Sequence, residues 1–393
     1  MKTVLNWIAK GDMRTLRLLG FALLAIPVLP LIQLPFTSAS AQEEERTTLG
    51  GYGEVHYTNL SGAETPGRVN VARFVAYLAH SFNERLSLRS ELEVEDAKLE
   101  GGKEGGEVSV EQVYLDYMLS PAATIRAGLV LPPVGIVNET HEPTTFNGVE
   151  RPGFDHDVIP TTWRDIGVGL VGSLPGGSGL SYRVYLLNGL VASGFSGEEG
   201  IREGRQEGSN ATFANPSLTG RLEWVRPGLT LGGSFWYGGS AAQDPALGTG
   251  TFDNVVAVVS ADARYDAGPF MFRGVVANVS ISDAGAINQA YGGEVGSRIA
   301  GGYVEGAYNL LSALAPQSTQ RLLGFVRHER YNTQAGVPDG LVRDDAFARR
   351  TTTFGLTYKP VYNVVFKGDY QLRRNRAGVG QDEQLALGVG YQF

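Results

Sequence analysis

The sequence predicts an all-β protein, a transmembrane antiparallel β-barrel of about sixteen strands with short periplasmic turns and long extracellular loops. Three observations predict this class: the alternation that ends the chain, an N-terminal export signal, and connections that alternate between short and long. In the last stretch, Leu385, Leu387, Val389, Tyr391 and Phe393 fall on one face, while glutamine, alanine and glycine fall on the other. One face therefore suits lipid, the other suits a lumen, and the terminal aromatic suits the membrane interface.

The first 41 residues have the pattern of a secretory signal peptide that is removed. Basic residues precede an apolar stretch from Leu18 to Leu34, and Ser38-Ala39-Ser40-Ala41 supplies small residues for cleavage. The alternative is a transmembrane helix, but the stretch is slightly shorter than the roughly 20 residues that span a bilayer, and prolines interrupt it. We expect residues 42–393 to form the barrel, exported through the periplasm to the outer membrane of a bacterium.

The composition excludes several other classes of protein. The net charge of −8 does not favour nucleic acid as a partner. The absence of cysteine means that stability in an oxidising compartment comes from something other than disulfides. A closed barrel is consistent with stability without disulfides, because closure satisfies every backbone hydrogen-bonding group. No cofactor is expected.

Sixteen segments have the alternation of strands. In Leu86–Glu95, leucines and Val94 face one way, while Arg89, Glu91 and Glu93 face the other. Phe270–Ile281 differs, because it is apolar on both faces. The predicted strands are 47–58, 69–81, 85–97, 108–120, 123–131, 165–173, 181–188, 217–226, 229–239, 253–267, 270–282, 297–311, 319–332, 350–360, 363–374 and 382–393.

Short and long connections alternate between these strands along the chain. The short ones include 82–84, 227–228 and 268–269, and the longest are 132–164 and 189–216. This is the pattern of an outer-membrane barrel with both termini in the periplasm, and a barrel of about sixteen strands is wide enough for an aqueous channel.

The connection 132–164 is the best candidate for a functional loop, because it is long, charged and stiffened by five prolines. We expect it to fold into the lumen as a constriction, with an external cap as the alternative. Its histidines and acids could also bind a metal ion, but their spacing matches no known ligand pattern, so no metal is expected. These residues are His141, Glu142, Asp155, His156 and Asp157.

Several motifs resemble a bacterial outer-membrane porin family related to the phosphate-selective porin O/P group. They are Glu139-Thr140-His141-Glu142-Pro143, Gly148-Val149-Glu150-Arg151-Pro152, Ile159-Pro160-Thr161-Thr162-Trp163-Arg164-Asp165 and Tyr182-Arg183-Val184-Tyr185-Leu186-Leu187-Asn188-Gly189-Leu190. The resemblance covers most of residues 47–240 and implies a sixteen-stranded diffusion channel that assembles as a homotrimer. It also implies a ladder of arginines and a cluster of lysines in a phosphate channel. Lysines after residue 41 occur only at 98, 103, 359 and 367, so the lysine cluster has no counterpart.

The polar faces of the strands and the long loop supply the channel-lining candidates. The run Glu91, Glu93 and Glu95 predicts an acidic wall, and Arg126, Arg151 and Arg164 predict a basic side of the constriction. The alternative is that these charges only pair with one another and keep the lumen hydrated. The complete set is Arg89, Glu91, Glu93, Glu95, Asp116, Arg126, His141, Glu142, Glu150, Arg151, Arg164, Arg183, Arg221 and Glu223.

The sequence thus favours a water-filled channel, in contact with outer-membrane lipid, for small hydrophilic solutes or ions, with anions such as phosphate among them. A non-conducting barrel plugged by its loops, acting in adhesion or structure, is the main alternative. An enzyme barrel is disfavoured because none of the five histidines lies in a recognisable nucleophile motif. Aromatic residues near strand ends are expected to form interfacial girdles, with ordinary strand packing as the alternative. They are Trp163, Trp224, Tyr237, Tyr265, Tyr358 and Tyr391.

Overall fold

A computed structural model describes residues 46–62, 67–96, 106–242 and 244–393. The predicted signal peptide, residues 1–41, lies outside the described residues. Within them, sixteen antiparallel strands form a closed barrel in which each strand pairs with the next and the last pairs with the first. The predicted fold class is therefore confirmed. The strands are β1 Thr47–Leu60, β2 Arg68–Ser81, β3 Leu86–Glu95, β4 Val108–Ser120, β5 Ala123–Val130, β6 Asp165–Ser173, β7 Leu180–Leu187, β8 Ser217–Arg226, β9 Leu229–Gly239, β10 Val255–Ala267, β11 Phe270–Ile281, β12 Arg298–Asn309, β13 Arg321–Gly336, β14 Ala348–Val361, β15 Val364–Asn375 and β16 Glu383–Gln392.

Helices in the described residues are short and lie in the connections. They are α1 Phe154–Asp157, α2 Ala284–Tyr291 and α3 Leu311–Leu314, with 3₁₀ turns at Ala192–Gly194, Arg202–Gly204 and Asp345–Phe347. No helix in this part of the chain is long and apolar enough to cross a membrane.

The period-2 pattern of the sequence sorts each strand into an outer apolar face and an inner face. In β16, Leu385, Leu387, Val389 and Tyr391 are exposed, whereas Ala386 and Gln384 are buried inside. Residues beside the end of the strand complete the closure, since Phe393 and Gly51 exchange backbone hydrogen bonds of 2.9 and 3.1 Å. The alternation that predicted the last strand therefore also fixes the register of its closure with β1.

The connections alternate in length as predicted, with one exception. Those at one end of the barrel, such as Pro227-Gly228 and Gly268-Pro269, are tight turns, and we call this the short-turn end. The connection between β12 and β13 lies at the same end but is longer than its neighbours, because it holds α3. The opposite, long-loop end carries the connections after β5 and β7.

The inner faces divide the barrel wall into two regions. On β9 to β12 the half of the inner face toward the long-loop end is largely apolar, as at Trp236, Val258, Val275 and Ile299, and belongs to one large hydrophobic cluster. On β1 to β4 the inner face instead carries buried charge, as at Glu54, Arg73, Glu93 and Glu111. We call these regions the apolar wall and the polar wall.

Candidate functional site

Residues 132–164, the interior loop, fold inside the barrel and contact strands around most of its circumference. Gly135 N donates to Ser234 Oγ on β9 at 3.3 Å, and Val149 N donates to Asp369 Oδ2 on β15 at 2.6 Å. Lys359 on β14 and Arg73 on β2 donate to backbone carbonyls of the loop at 2.7 and 2.9 Å. The loop therefore spans the lumen.

Apolar packing fixes one side of the interior loop to the apolar wall. Trp163, with no exposed surface, lies against Trp236 of β9, with ring centroids 5.3 Å apart. Phe154 of α1 meets Tyr303 of β12 edge-on, with centroids 5.7 Å apart. The sequence does this because a hydrophobic run in the loop, Val134 to Val137, meets strands that are apolar on their inner faces. Burial of these apolar side chains stabilises the contact between the loop and the wall, and this contact needs no ion pair.

Charge pairing fixes the central part of the same loop. Asn147 donates to Glu305 of β12 at 2.9 Å, and its carbonyl accepts from Arg327 of β13 at 3.1 Å. Arg327 is almost fully buried and also pairs with Glu305 and Glu329, at 3.4 and 3.1 Å. A buried guanidinium with two carboxylates and a backbone carbonyl is well satisfied, so it orients the loop.

Asp155 is a buried acid of the interior loop. Burial raises its pKa to about 8, the nearby Glu329 carboxylate acts in the same direction, and Arg327 opposes both. Neither carboxyl oxygen accepts a well-formed hydrogen bond from the described residues. Asp155 is therefore held as a neutral acid over most of the physiological range of pH.

At the polar wall, His141 of the interior loop meets two strands. Its Nε2 lies 2.9 Å from Glu111 Oε1 of β4 and 2.9 Å from the Tyr52 hydroxyl of β1. Burial alone would lower the pKa of His141, but the Glu111 carboxylate raises it above its usual value. Glu111 reaches this position through a β-bulge, since Glu91 pairs with Gln112 but the next residue, Leu92, pairs with Val110. A bulge turns an extra side chain inward.

Two cavities lie on either side of the interior loop. The larger, of about 790 Å³, opens toward the long-loop end and carries both signs of charge, including Glu95, Glu150, Arg349 and Arg373. The smaller, of about 550 Å³, reaches the short-turn end at Gly228. Its charged lining is mostly basic: Arg226, Arg264, Arg273, Arg321 and Lys359, with Asp266 as the acid.

The structure places the predicted lining residues in several different environments. Glu95, Glu150 and Arg151 line the larger cavity. Arg126 pairs with Asp116 at 2.8 Å and lies over the Tyr114 ring.

Others of the predicted set are held in ion pairs and buried networks. Arg183 pairs with Glu139 at 3.1 Å, and Arg221 pairs with Asp262 and Glu223 at 2.6 and 3.2 Å. Arg164 pairs with Glu207 at 3.0 Å.

One residue of the predicted basic side lies close to the predicted acidic run. Glu93 is buried and Glu91 accepts a hydrogen bond from Gln112 at 3.0 Å, both on the polar wall. Arg151 lies near this same wall, because it lines the larger cavity together with Glu54, Arg73 and Glu95. The predicted set also includes Arg89, which lies on β3, and Glu142, which follows His141 in the interior loop. A constriction role for these residues stays a prediction.

One expectation about the aromatic girdle is wrong. Trp163 is fully buried inside the barrel and donates to Asp165 Oδ2 at 2.7 Å, so it does not lie at a membrane interface. Tyr237, Tyr265 and Tyr391 are exposed on the outer face, as girdle residues must be. The tryptophan lies in a loop rather than a strand, so strand alternation carries no information about where it faces.

Sequence reasoning missed several interior residues. Arg73 pairs with Glu54 at 2.5 Å, and Arg327 lies at the centre of the loop contacts, yet none of these three was a candidate. A signal existed for Arg73, the lone charge in an apolar run of β2. Glu111 was missed because its bulge breaks the period of two.

Comparison with known proteins gives a family and a fold. No family model matches the sequence. A protein of Aquifex aeolicus (strain VF5), described as an uncharacterized protein, is 34% identical over 349 residues, covering 86% of this chain and 78% of the relative.

Among solved structures, OmpF of Salmonella typhi in complex with daunomycin has a TM-score of 0.57 at 16% identity, covering 88% of this chain and 97% of that one. The outer membrane channel DcaP of Acinetobacter baumannii has a TM-score of 0.56 at 12% identity, with the same coverage of 88% and 97%. In-vitro folded OmpT, an outer membrane protein of Vibrio cholerae in a trimer form, has 0.54 at 10% identity, covering 88% and 99%.

These similarities show a porin-like β-barrel fold. The chain belongs to the same family as the Aquifex aeolicus protein. The narrower resemblance to the phosphate-selective porin O/P group stays a prediction.

Proposed function

We propose that this chain is an outer-membrane porin, a water-filled channel for passive diffusion of small hydrophilic solutes or ions. The observation that carries the proposal is a closed sixteen-stranded barrel with a cavity on each side of the interior loop, one toward the long-loop end and one at the short-turn rim. Barrels of about this strand number leave an aqueous interior.

The interior loop is proposed as the constriction between the two cavities. Phe146 lines the larger cavity and its neighbour Thr145 lines the smaller one, so this part of the loop separates them. The loop is fixed both by apolar packing against the apolar wall and by hydrogen bonds from charged strand residues such as Arg327. These two kinds of contact support a fixed aperture rather than a mobile lid.

A preference for anions is proposed from the charge of the smaller cavity. Its lining holds five basic side chains and one acid, and Arg264 and Arg273 also pair with Glu223 and Glu305 beside it. A net basic charge remains, and a ring of one charge at a pore mouth favours the opposite ion. Lys359 also donates to the Thr144 carbonyl, which brings this basic charge directly to the interior loop. The larger cavity, with both signs of charge, adds no such preference.

The location and assembly follow from the same proposal. Exposed apolar side chains on the outer faces of the strands suit contact with outer-membrane lipid. One structural neighbour is described as an outer membrane channel and another as a trimer form, which supports the expected homotrimer. That the chain is not an enzyme stays a prediction.

Planar-bilayer recording of the purified protein in a salt gradient tests the proposal. A stepwise, ohmic current with a reversal potential of anion-selective sign is expected. Replacing both Arg273 and Lys359 with glutamine should move the reversal potential toward zero, whereas Arg376→Gln, a matched control exposed at the long-loop end, should leave it unchanged. Block of the current by added phosphate would support the phosphate-channel interpretation, and cation selectivity of the unmodified protein would contradict the anion preference.

A plugged barrel is the second candidate, favoured by one observation. The hydrophobic cluster that joins the interior loop, residues of the 188–216 connection and the apolar wall fills part of the lumen. The same recording separates the two functions, because a correctly folded protein that gives no current in repeated insertions is a plugged barrel.

A further inference from the structure

Three potential metal ligands from three separate segments converge at the polar wall. Glu91 comes from β3, Glu111 from the bulge of β4 and His141 from the interior loop. Each offers one ligand atom, and these atoms lie within 4.8 Å of one another. The 2.9 Å between His141 Nε2 and Glu111 Oε1 is within about 0.5 Å of the roughly 3.4 Å that separates neighbouring ligands around a tetrahedral ion with bonds near 2.1 Å, so a small shift of the two side chains admits an ion.

The imidazole of His141 is oriented as a metal ligand requires. Its Nδ1 lies 3.0 Å from the backbone carbonyl of Asn138, which can only accept, so Nδ1 carries a proton. Nε2 is thereby left facing the two carboxylates. Metal-binding histidines are commonly oriented in this way, by donating their other ring N–H to a carbonyl or carboxylate. Glu91 is oriented similarly, since Gln112 donates to its Oε2 at 3.0 Å.

Two buried carboxylates at the same place each have one oxygen without a hydrogen-bond donor among the described residues. Glu111 is fully buried, and its Oε1 accepts no well-aligned hydrogen bond from the described residues. Glu93 Oε1 likewise accepts no hydrogen bond from the described residues, and Glu93 lies on the same face of β3 as Glu91. The nearest guanidinium, Arg73, is already paired with Glu54 at 2.5 Å and reaches Glu93 only at 3.9 Å. The carboxylates of Glu91 and Glu111 thus share the one imidazole of His141, and a buried excess of negative charge is costly and is relieved by a cation.

We propose that Glu91, Glu111 and His141 bind one divalent transition-metal ion, of the class of Zn²⁺ or Co²⁺. One imidazole nitrogen and two carboxylate oxygens form a mixed donor set that suits these ions better than Mg²⁺ or Ca²⁺, which prefer oxygen alone. A fourth position is open to the Tyr52 hydroxyl, 2.9 Å from His141 Nε2, or to water. The ion joins the interior loop to two strands of the polar wall, where the hydrophobic cluster does not reach.

The site goes beyond the proposed channel function, and its test needs no current. The purified full-length barrel in detergent is stripped with a chelator and titrated with Co²⁺, whose visible absorption reports bound metal, followed by competition with Zn²⁺. One Co²⁺ per chain, displaced by Zn²⁺ and not by excess Mg²⁺, is expected. Glu111→Gln and His141→Gln should each weaken binding by roughly 100-fold or more, since changes even to supporting residues cost about 10- to 100-fold.

His156→Gln is the matched control, because His156 belongs to the same loop but its side chain is 46% exposed and pairs with Asp157 instead. It should bind Co²⁺ as the unmodified protein does. If either buried variant does not fold, Glu91→Gln at the partly buried ligand gives the same readout. Absence of a stoichiometric Co²⁺ spectrum, or binding that survives in the variants of Glu91, Glu111 and His141, overturns the proposal. A protein that binds Co²⁺ but carries no current refutes the channel and leaves the metal site standing.

Discussion

Replacing Trp163 with alanine should detach the interior loop from the apolar wall. Trp163 is fully buried against Trp236, and truncation of a buried aromatic costs about 3–5 kcal/mol. Its indole N–H also donates to Asp165 Oδ2 at 2.7 Å, whereas Asn188 donates to the other oxygen, Oδ1, at 2.8 Å. Loss of the indole therefore leaves the buried Oδ2 without its donor, which costs about 1–3 kcal/mol. The total is about 4–8 kcal/mol of unfolding free energy.

The assay is reversible urea unfolding from lipid vesicles, followed by intrinsic fluorescence and by protease sensitivity of the loop. Trp163→Phe provides the graded comparison, because it keeps most of the apolar contact and loses the indole donor. Leu314→Ala provides the control, since Leu314 is 76% exposed and lies in the turn between β12 and β13. In bilayers, Trp163→Ala should give larger and noisier currents than the unmodified protein, because a loosened loop no longer fixes the aperture.

A loss of less than about 1 kcal/mol for Trp163→Ala, with the loop still protected from protease, would refute the reasoning. It would mean that the contacts to Glu305, Asp369 and Arg327 hold the loop without the apolar side. If Trp163→Ala lost the expected unfolding free energy but kept an unchanged current, loop stability would not determine the aperture. That outcome would refute only the constriction role of the loop.

Two further predictions concern the same loop. The pKa of Asp155 lies near 8, above the usual value of about 4 for aspartate, so its contribution to loop stability is complete below about pH 4 and is lost as the pH rises toward 8. Asp155→Asn should therefore flatten the rise in loop proteolysis between those values, and an unchanged pH profile would contradict this. A Cβ at Gly390 would come within 2.5 Å of Pro143 in the loop, whereas one at Gly274 would have only ordinary contacts from 3.6 Å. Gly390→Ala should lower unfolding stability and alter conductance, while the control Gly274→Ala does neither, and equal effects of the two would refute the close approach.

Much of the barrel could be predicted from the sequence because a single physical rule governs it. Each strand faces lipid on one side, so apolar residues recur with a period of two, as in Leu385 to Tyr391. Tight turns such as Pro227-Gly228 mark the strand ends with residues that cannot continue a ladder. These local signals are sufficient for strand number and order, since each strand pairs with its neighbours in the chain.

The candidate site could be predicted far less well, because its contacts are not local. His141 and Glu111 are close in space only after the loop crosses the lumen, and Arg327 meets Asn147 across 180 residues. The bulge at Glu111 also broke the alternation on which the choice of lumen residues depended. An unaligned sequence records charge and period, but it does not record which loop enters the barrel.

One sequence anomaly did carry this information and can now be interpreted. Phe270–Ile281 is apolar on both faces, which a strand between lipid and water does not need. Its inner residues Val275, Ala277 and Val279 belong to the cluster that receives the interior loop. A barrel strand whose inner face is apolar except for one charge, Arg273, therefore indicates the part of the wall against which a loop packs. By the same reasoning, any open path for solute should run along the polar wall and the mixed-charge strands, where the larger cavity lies.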